Sequence, residues 1–149
     1  MGYNYFRILI YWNLGVFMEK NIVKVVGAII VENNRIFCAR RPLDKKFGGL
    51  WEFPGGKIEA GESFETALKR EILEELDIEV EVLDIFMNTV KEYDSFIIDL
   101  TCLNCNIIDF NSFKLKEHIE YRWVDRKELL NLEWVPTDIP IVEKLQGQY

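Results

Sequence analysis

Gly55-Gly56-Lys57-Ile58-Glu59-Ala60-Gly61-Glu62-Ser63, continued by Phe64-Glu65-Thr66-Ala67-Leu68-Lys69-Arg70-Glu71-Ile72-Leu73-Glu74-Glu75-Leu76-Asp77-Ile78, sets a glycine-rich approach against a helix-forming run. The spacing predicts a helix over 63–76, with Ser63 as N-cap and Phe64, Ala67, Leu68, Ile72 and Leu76 as its apolar stripe. At about 100° per residue, Glu71, Glu74 and Glu75 fall within an arc of roughly 100°. Like charges at i, i+3 and i+4 each cost about 0.2–0.5 kcal/mol, and the C-terminal half of a helix disfavours anions. Glu75 even falls between Phe64 and Leu68 on the apolar side of the wheel. Three penalties in one place call for a compensating cation. Clustered carboxylate oxygens are the ligands Mg²⁺ prefers, with Mn²⁺ as the common substitute. Taken alone, Glu-x-x-Glu-Glu is equally compatible with a solvated acidic face on which Lys69 and Arg70 make ordinary surface pairs.

Upstream, Val23 to Val31 is an apolar run broken only by Lys24, as expected of a buried strand. Glu32-Asn33-Asn34 is a turn signal, and Arg35 to Arg40 is the expected return strand of a hairpin. Pro42 to Gly49 is a polar loop, and Trp51-Glu52-Phe53 a short extended piece that Pro54-Gly55-Gly56 should break. Downstream, strands are expected over 78–90, 96–107 and 121–124, the first two joined by a turn at 91–95. Short helices are expected over 126–132 and 139–146. Strands interspersed with helices predict an α/β domain whose mixed sheet is sandwiched between α-helices.

The 149 residues suit one domain, 49% apolar and 29% charged, with a net charge of −7. That charge argues against a nucleic-acid duplex or a membrane surface as partner, but not against a small anion, because a bound divalent cation inverts the local field. Three cysteines and no secretory signal point to a reducing, cytoplasmic setting. Cys102-Leu103-Asn104-Cys105 has no second ligand pair, so packing is expected of it rather than zinc. Tyr3 to Met18 is apolar and aromatic but too short, and too interrupted by Asn4, Arg7 and Asn13, to span a bilayer. Residues 1–17 are therefore expected to be an upstream extension before a domain over 18–149 that starts naturally at Met18.

The glycine-rich approach and its helix resemble the Nudix box. Gly56, Glu62, Arg70, Glu71, Ile72, Glu74, Glu75 and Ile78 are in register with that pattern, and only its last glycine is replaced, by Asp77. Six fixed positions would coincide by chance on the order of once in ten million starting points. Trp51 through Lys57 is similar to the box approach of the MutT-like branch. Val26-Gly27 through Arg40-Arg41, Tyr121-Arg122-Trp123 and Pro136 to Pro140 extend the likeness to about residues 22–147.

The resemblance implies a Mg²⁺-dependent hydrolase, with Mn²⁺ as substitute, that cleaves a nucleoside triphosphate into monophosphate and pyrophosphate as a monomer or homodimer. It assigns Glu71, Glu74, Glu75 and the Gly55 carbonyl to the cations, with Glu52 as a further ligand. Arg70 would hold a box carboxylate in place, Glu62 would support the loop–helix junction, and Lys57 could steady a phosphate. Glu117 would approach the metals and act on the attacking water, with Glu120 as its competitor and His118 as a bystander. Arg41, Phe53, Tyr93 and Asp138 match positions near sugar or base, though Asp138 could instead cap the last helix. Three functions follow: nucleotide-pool sanitation by an 8-oxo-dGTP diphosphatase serving DNA repair, a CTP or 5-methyl-dCTP pyrophosphohydrolase, or a nucleotide-sensing module with weak turnover. The intact acidic cluster argues against the last.

Overall fold

The structure is a computed structural model that describes residues 6–11 and 17–147, with side chains from residue 19 onward. Its strands are β1 (Phe6–Tyr11), β2 (Phe17–Glu32), β3 (Arg35–Arg40), β4 (Trp51–Glu52), β5 (Gly55–Lys57), β6 (Glu79–Glu92), β7 (Phe96–Asp109) and β8 (Glu120–Asp125). Two α-helices, α1 (Phe64–Leu76) and α2 (Ile139–Gln146), and a 3-10 helix over Arg126–Asn131 complete it. The strands form one mixed sheet with the path β4-β3-β2-β7-β6. On it β1 and β5 add to β2, and β8 adds to β3.

β2 organises both layers because successive residues face opposite sides of the sheet. Val26, Ala28 and Ile30 pack with Ala67, Leu68, Ile72 and Leu76 of α1. Ile29, between them, packs with Ile141, Val142 and Leu145 of α2 and with Trp51, Phe53 and Trp134. Two-sided burial is why this segment is a continuous apolar run rather than an alternating one. The expected sandwich is therefore present, with α1 on one face and α2 on the other. Asn33 and Asn34 turn β2 into β3 with φ of 50° and 61°, the left-handed pair that a two-residue hairpin turn requires.

Two expectations need correction. Pro54-Gly55-Gly56 does not end pairing: β5 pairs antiparallel with β2, with Gly55 opposite Gly27. A Cβ on Gly55 would overlap the Val26 carbonyl, so glycine is what lets the two backbones meet. The short helix expected after β8 is present as a 3-10 helix over Arg126–Asn131. β2 begins at Phe17 rather than near Val23, because β1 pairs with its first half from Phe6↔Ile22 to Tyr11↔Phe17. The N-terminal run thus contributes backbone pairs to the sheet, while 1–5 and 12–16 of the expected extension lie outside the described residues.

Asp77 ends α1 with φ 57° and ψ 33°, its N–H donating to the Leu73 carbonyl. This is the left-handed C-terminal cap for which glycine is the usual choice and which aspartate tolerates. Among the described residues no helix is long and apolar enough to cross a membrane.

Both buried clusters are built from residues beyond Lys24. A chain starting at Met18 is therefore expected to fold cooperatively and to keep kcat/KM within about threefold of the full chain. Thermal melts and steady-state kinetics check this, and an insoluble or inactive truncation would make the β1–β2 pairing part of the folding unit.

Candidate active site

α1 starts where Ser63 accepts the Thr66 N–H, and it lies beneath the β5 backbone. The contact is close enough that a Cβ on Gly56 would collide with the Glu71 carboxyl group. One turn further on, Gly55 N–H donates to Glu75 Oε2 at 3.2 Å. Arg70 ties the approach to the helix: Nε and Nη2 grip Glu62 at 2.8 and 2.7 Å, and Nη1 reaches Glu71 Oε1 at 2.8 Å. Nη2 also donates to the Lys57 carbonyl at 3.0 Å. This bidentate pairing with Glu62 holds that carboxyl below its usual range.

Glu71, Glu74 and Glu75 of α1 diverge. Glu75 is only 5% exposed. Burial first, then the like charges of Glu52, Glu71 and Glu117, push its carboxyl up to about 9. Glu71 is raised too, by burial foremost and by Glu74 and Glu117, against the pull of Arg70. Glu74 is exposed and rests on Arg70 Nη1 at 3.3 Å.

Beside β5 opens a cavity of about 760 Å³ whose wall carries Glu52, Glu75, Glu117, Lys57, Arg41 and His118. Gly55, Phe53, Tyr93 and Asp138 also face it, so most of the expected site residues meet in one place. Arg70, Glu71 and Glu74 stand behind that wall rather than on it. Glu52 Oε2 pairs with Arg41 at 3.0 Å, and its Oε1 receives His118 Nε2 at 2.9 Å. The ring of His118, expected to be a bystander, is buried against the Glu52 carboxylate. A lone histidine in a polar loop gave no sequence signal for this contact. Glu120 faces elsewhere, bonded to Arg122 at 2.8 Å and Arg40 at 3.3 Å, which leaves Glu117 as the one of the two on the cavity.

At the far end the capping alternative for Asp138 is not realised. It precedes α2 but makes no side-chain cap bond. Instead its Oδ2 accepts the Phe53 N–H at 3.0 Å. Its carboxyl is buried, and burial raises it well above the usual range. Tyr93 stacks on Phe96 at 4.8 Å, and its hydroxyl lies 3.3 Å from Thr137 Oγ1. Phe47, Phe96, Lys46 and Thr137 line the same end. They were not expected from sequence, because loop and strand-end residues carry no periodic signal. Lys46 Nζ sits 4.0 Å above the Phe96 ring. Cys38, Cys102 and Cys105 are buried free thiols, each raised by burial above the usual thiol range.

As the side chains stand, no three histidine, cysteine or acidic groups among the described residues converge to chelate an ion. Four of the carboxylates instead lean on protein donors: Glu71 and Glu74 on Arg70, Glu75 on Gly55, and Glu52 on Arg41 and His118. The donor set nevertheless fits a hard divalent cation. Four carboxylates repel one another around one buried member, an arrangement whose like-charge strain a cation relieves.

A family model described as the NUDIX domain matches residues 22–145. The chain is 37% identical over 123 residues to the CTP pyrophosphohydrolase of Escherichia coli, covering 82% of this chain and 90% of that protein. It is 32% identical over 132 residues to the 8-oxo-dGTP diphosphatase of Haemophilus influenzae, covering 88% and 96%. It also superimposes on the solution structure of a DNA mismatch repair protein MutT from Staphylococcus aureus. The TM-score is 0.72 at 40% identity, over 87% of this chain and 99% of that one.

Asp138 carries a stability consequence. Its native carboxyl is raised, so it is protonated in both states below about pH 4, and the penalty develops above that as only the unfolded chain releases the proton. Asn at 138 keeps an acceptor for Phe53 N–H without that proton. The melting temperature of Asp138→Asn relative to wild type is expected to be near zero at about pH 4 and to grow positive toward about pH 8. Parallel melting curves across that range would show that the buried carboxyl is not held neutral.

Proposed function

The chain belongs to the Nudix family, and from that premise we propose that it is a divalent-cation-dependent pyrophosphohydrolase of oxidised purine nucleoside triphosphates such as 8-oxo-dGTP. Hydrolysis of phosphoanhydride bonds by an enzyme of MutT type follows from the domain match and from full-length relatives named for that activity. The identity of the nucleotide and the roles of individual side chains are our reading.

Mg²⁺, or Mn²⁺ in its place, would neutralise the phosphate chain and polarise phosphorus. Glu75, Glu71, Glu52 and Glu117 would hold it, with Glu74 rotating in from its exposed position and the Gly55 carbonyl as a backbone ligand. Arg70 keeps Glu71 and Glu62 oriented and closes the β5 approach over the helix. Glu117 would position the attacking water and take its proton, Lys57 and Arg41 would face the phosphates and sugar, and cleavage would release monophosphate and pyrophosphate. The reading has the enzyme acting in the cytoplasm on free nucleotides, as a monomer or homodimer without duplex or membrane partners.

The observation that carries the base assignment is the burial of Asp138 at the aromatic end of the cavity. A protonated carboxyl both donates and accepts, as the N7–H and O6 edge of 8-oxoguanine requires. Phe53 and Tyr93 would flank the base. Likeness to the CTP pyrophosphohydrolase over nearly its whole length favours a second reading, in which an ionised Asp138 accepts from cytosine N4.

Two outcomes are expected. Turnover should require added Mg²⁺ or Mn²⁺, and Glu75→Gln should lower kcat by at least about a hundredfold because an anionic ligand is lost. Full rates in excess EDTA, or a near-native kcat in that variant, would remove the metal mechanism. The wild-type kcat/KM ratio of 8-oxo-dGTP to CTP should fall as pH rises and Asp138 ionises, while that of Asp138→Asn stays flat, leaving the variant roughly tenfold higher at the alkaline end. A two-substrate comparison across pH measures this. A wild type that prefers CTP throughout would establish the cytidine reading, and parallel profiles would take Asp138 off the base.

A further inference from the structure

One buried side-chain nitrogen among the described residues lacks a hydrogen-bond partner: Nδ1 of His118. The side chain is 4% exposed, yet it belongs to the cavity wall. Leaving a buried polar atom unpaired costs about 1–3 kcal/mol. A ring placed only to fill space would lose nothing by being apolar. The single polar anchor of this imidazole is Glu52, whose Oε1 lies 2.9 Å from Nε2. Because a carboxylate oxygen accepts, that ring nitrogen carries the proton.

The contact joins two parts of the chain that β3 brings side by side. β4, with Glu52, pairs with one edge of β3 through Ala39↔Glu52. β8 pairs with the other edge, ending at Arg40↔Glu120. The segment that leads into β8 is fixed by backbone bonds on both sides of His118: Lys116 N–H to the Glu75 carbonyl at 3.0 Å, and Ile119 N–H to the Arg40 carbonyl at 3.0 Å. Between these two pins stand only Glu117 and His118. Glu117 is exposed to the cavity without an anchor of its own in this arrangement, and its neighbour's ring is held to Glu52. From the opposite side Arg41 Nη1 reaches both oxygens of Glu52, at 3.2 and 3.0 Å.

We propose that His118 is a positioning residue: its Nε2–H latches the Glu117 loop to Glu52, fixing the two carboxylates against each other across the cavity mouth. The latch acts through Glu52 and Glu117 and touches neither substrate nor reacting atoms. It rests on the proposed use of those two glutamates around the divalent cation.

His118→Phe keeps a flat ring and removes both nitrogens. His118→Gln can place an amide N–H near the former Nε2, and His118→Asn is too short to reach Glu52. Each is measured for kcat and KM, and for Mn²⁺ affinity of the substrate-free protein by electron paramagnetic resonance. His118→Phe and His118→Asn are expected to lose at least about tenfold in kcat and to bind Mn²⁺ more weakly, with KM changed less than about threefold, while His118→Gln recovers most of both. In a Glu52→Gln background the same His118→Phe change should add less than about twofold, as for two residues acting as one unit.

Native kcat and Mn²⁺ affinity in His118→Phe would overturn the latch and leave the ring as packing. So would equal losses in Gln and Phe, or fully multiplicative losses in the double variant. If His118→Phe does not fold, the Gln and Asn pair decides by the same criteria. A Glu52→Gln variant with unchanged Mn²⁺ affinity would refute the use of Glu52 in the metal shell, and the latch with it. A weakened Glu52→Gln beside a silent His118→Phe would refute the latch alone.

Discussion

Glu75 is a carboxyl group buried on the apolar side of α1, and the arrangement of the site follows from accommodating it. An acid in that position is tolerated when neutral or when matched by positive charge and donors. The protein supplies a single backbone donor, Gly55 N–H, and three further glutamates whose fields oppose ionisation. The approach of β5 to the helix is part of the same constraint. Only a residue without a side chain lets the backbone pass over Glu71, and only that passage brings Gly55 N–H to Glu75. Arg70 then locks the geometry from outside by binding the approach and the helix with one guanidinium.

β3 plays the corresponding part for the opposite wall. It pairs with β4 and β8 on its two edges, so residues far apart in sequence, Glu52 and the Glu117–His118 pair, arrive on one rim of the cavity. Arg41, immediately after β3, completes the rim by pairing with Glu52. Positive charge and the imidazole stand on the side of Glu52 away from α1. On the helix side Glu75 has only the Gly55 N–H, while Arg70 takes up Glu71 and Glu74 behind the wall.

At the other end the same buried-acid logic has a different outcome. Asp138 has one backbone donor and an apolar and aromatic surround, with Glu52 opposing its ionisation and Arg41 favouring it. A carboxyl held neutral recognises both donors and acceptors, whereas an ionised one only accepts. Under the proposed function, the protonation state of this side chain links burial to nucleotide choice.

Local sequence was sufficient for the elements whose cause is local. The period of apolar residues in 64–76 and the Ser63 cap specify α1, and the asparagine pair specifies the hairpin turn. The apolar run of 23–31, broken only by Lys24, specifies a strand buried on both faces. The register of Gly56, Glu62, Arg70, Glu71, Glu74 and Glu75 was legible as chemistry because a helix and its approach hold fixed spacings. Contacts between distant segments were not legible. Capping stood beside base contact as an alternative for Asp138 because its neighbours form a helix, but its acceptor went to Phe53, 85 positions away. His118 looked idle because its partner is Glu52, 66 positions away. Choosing Glu117 over Glu120 as the cavity residue needed β8 in place, since pairing with β3 gives Glu120 to Arg40 and Arg122. Sequence determines what is set by spacing along one helix or one turn. Which carboxylate meets which donor is decided only when the sheet brings separate strands together, because hydrogen bonds depend on ångström distances that no linear pattern records.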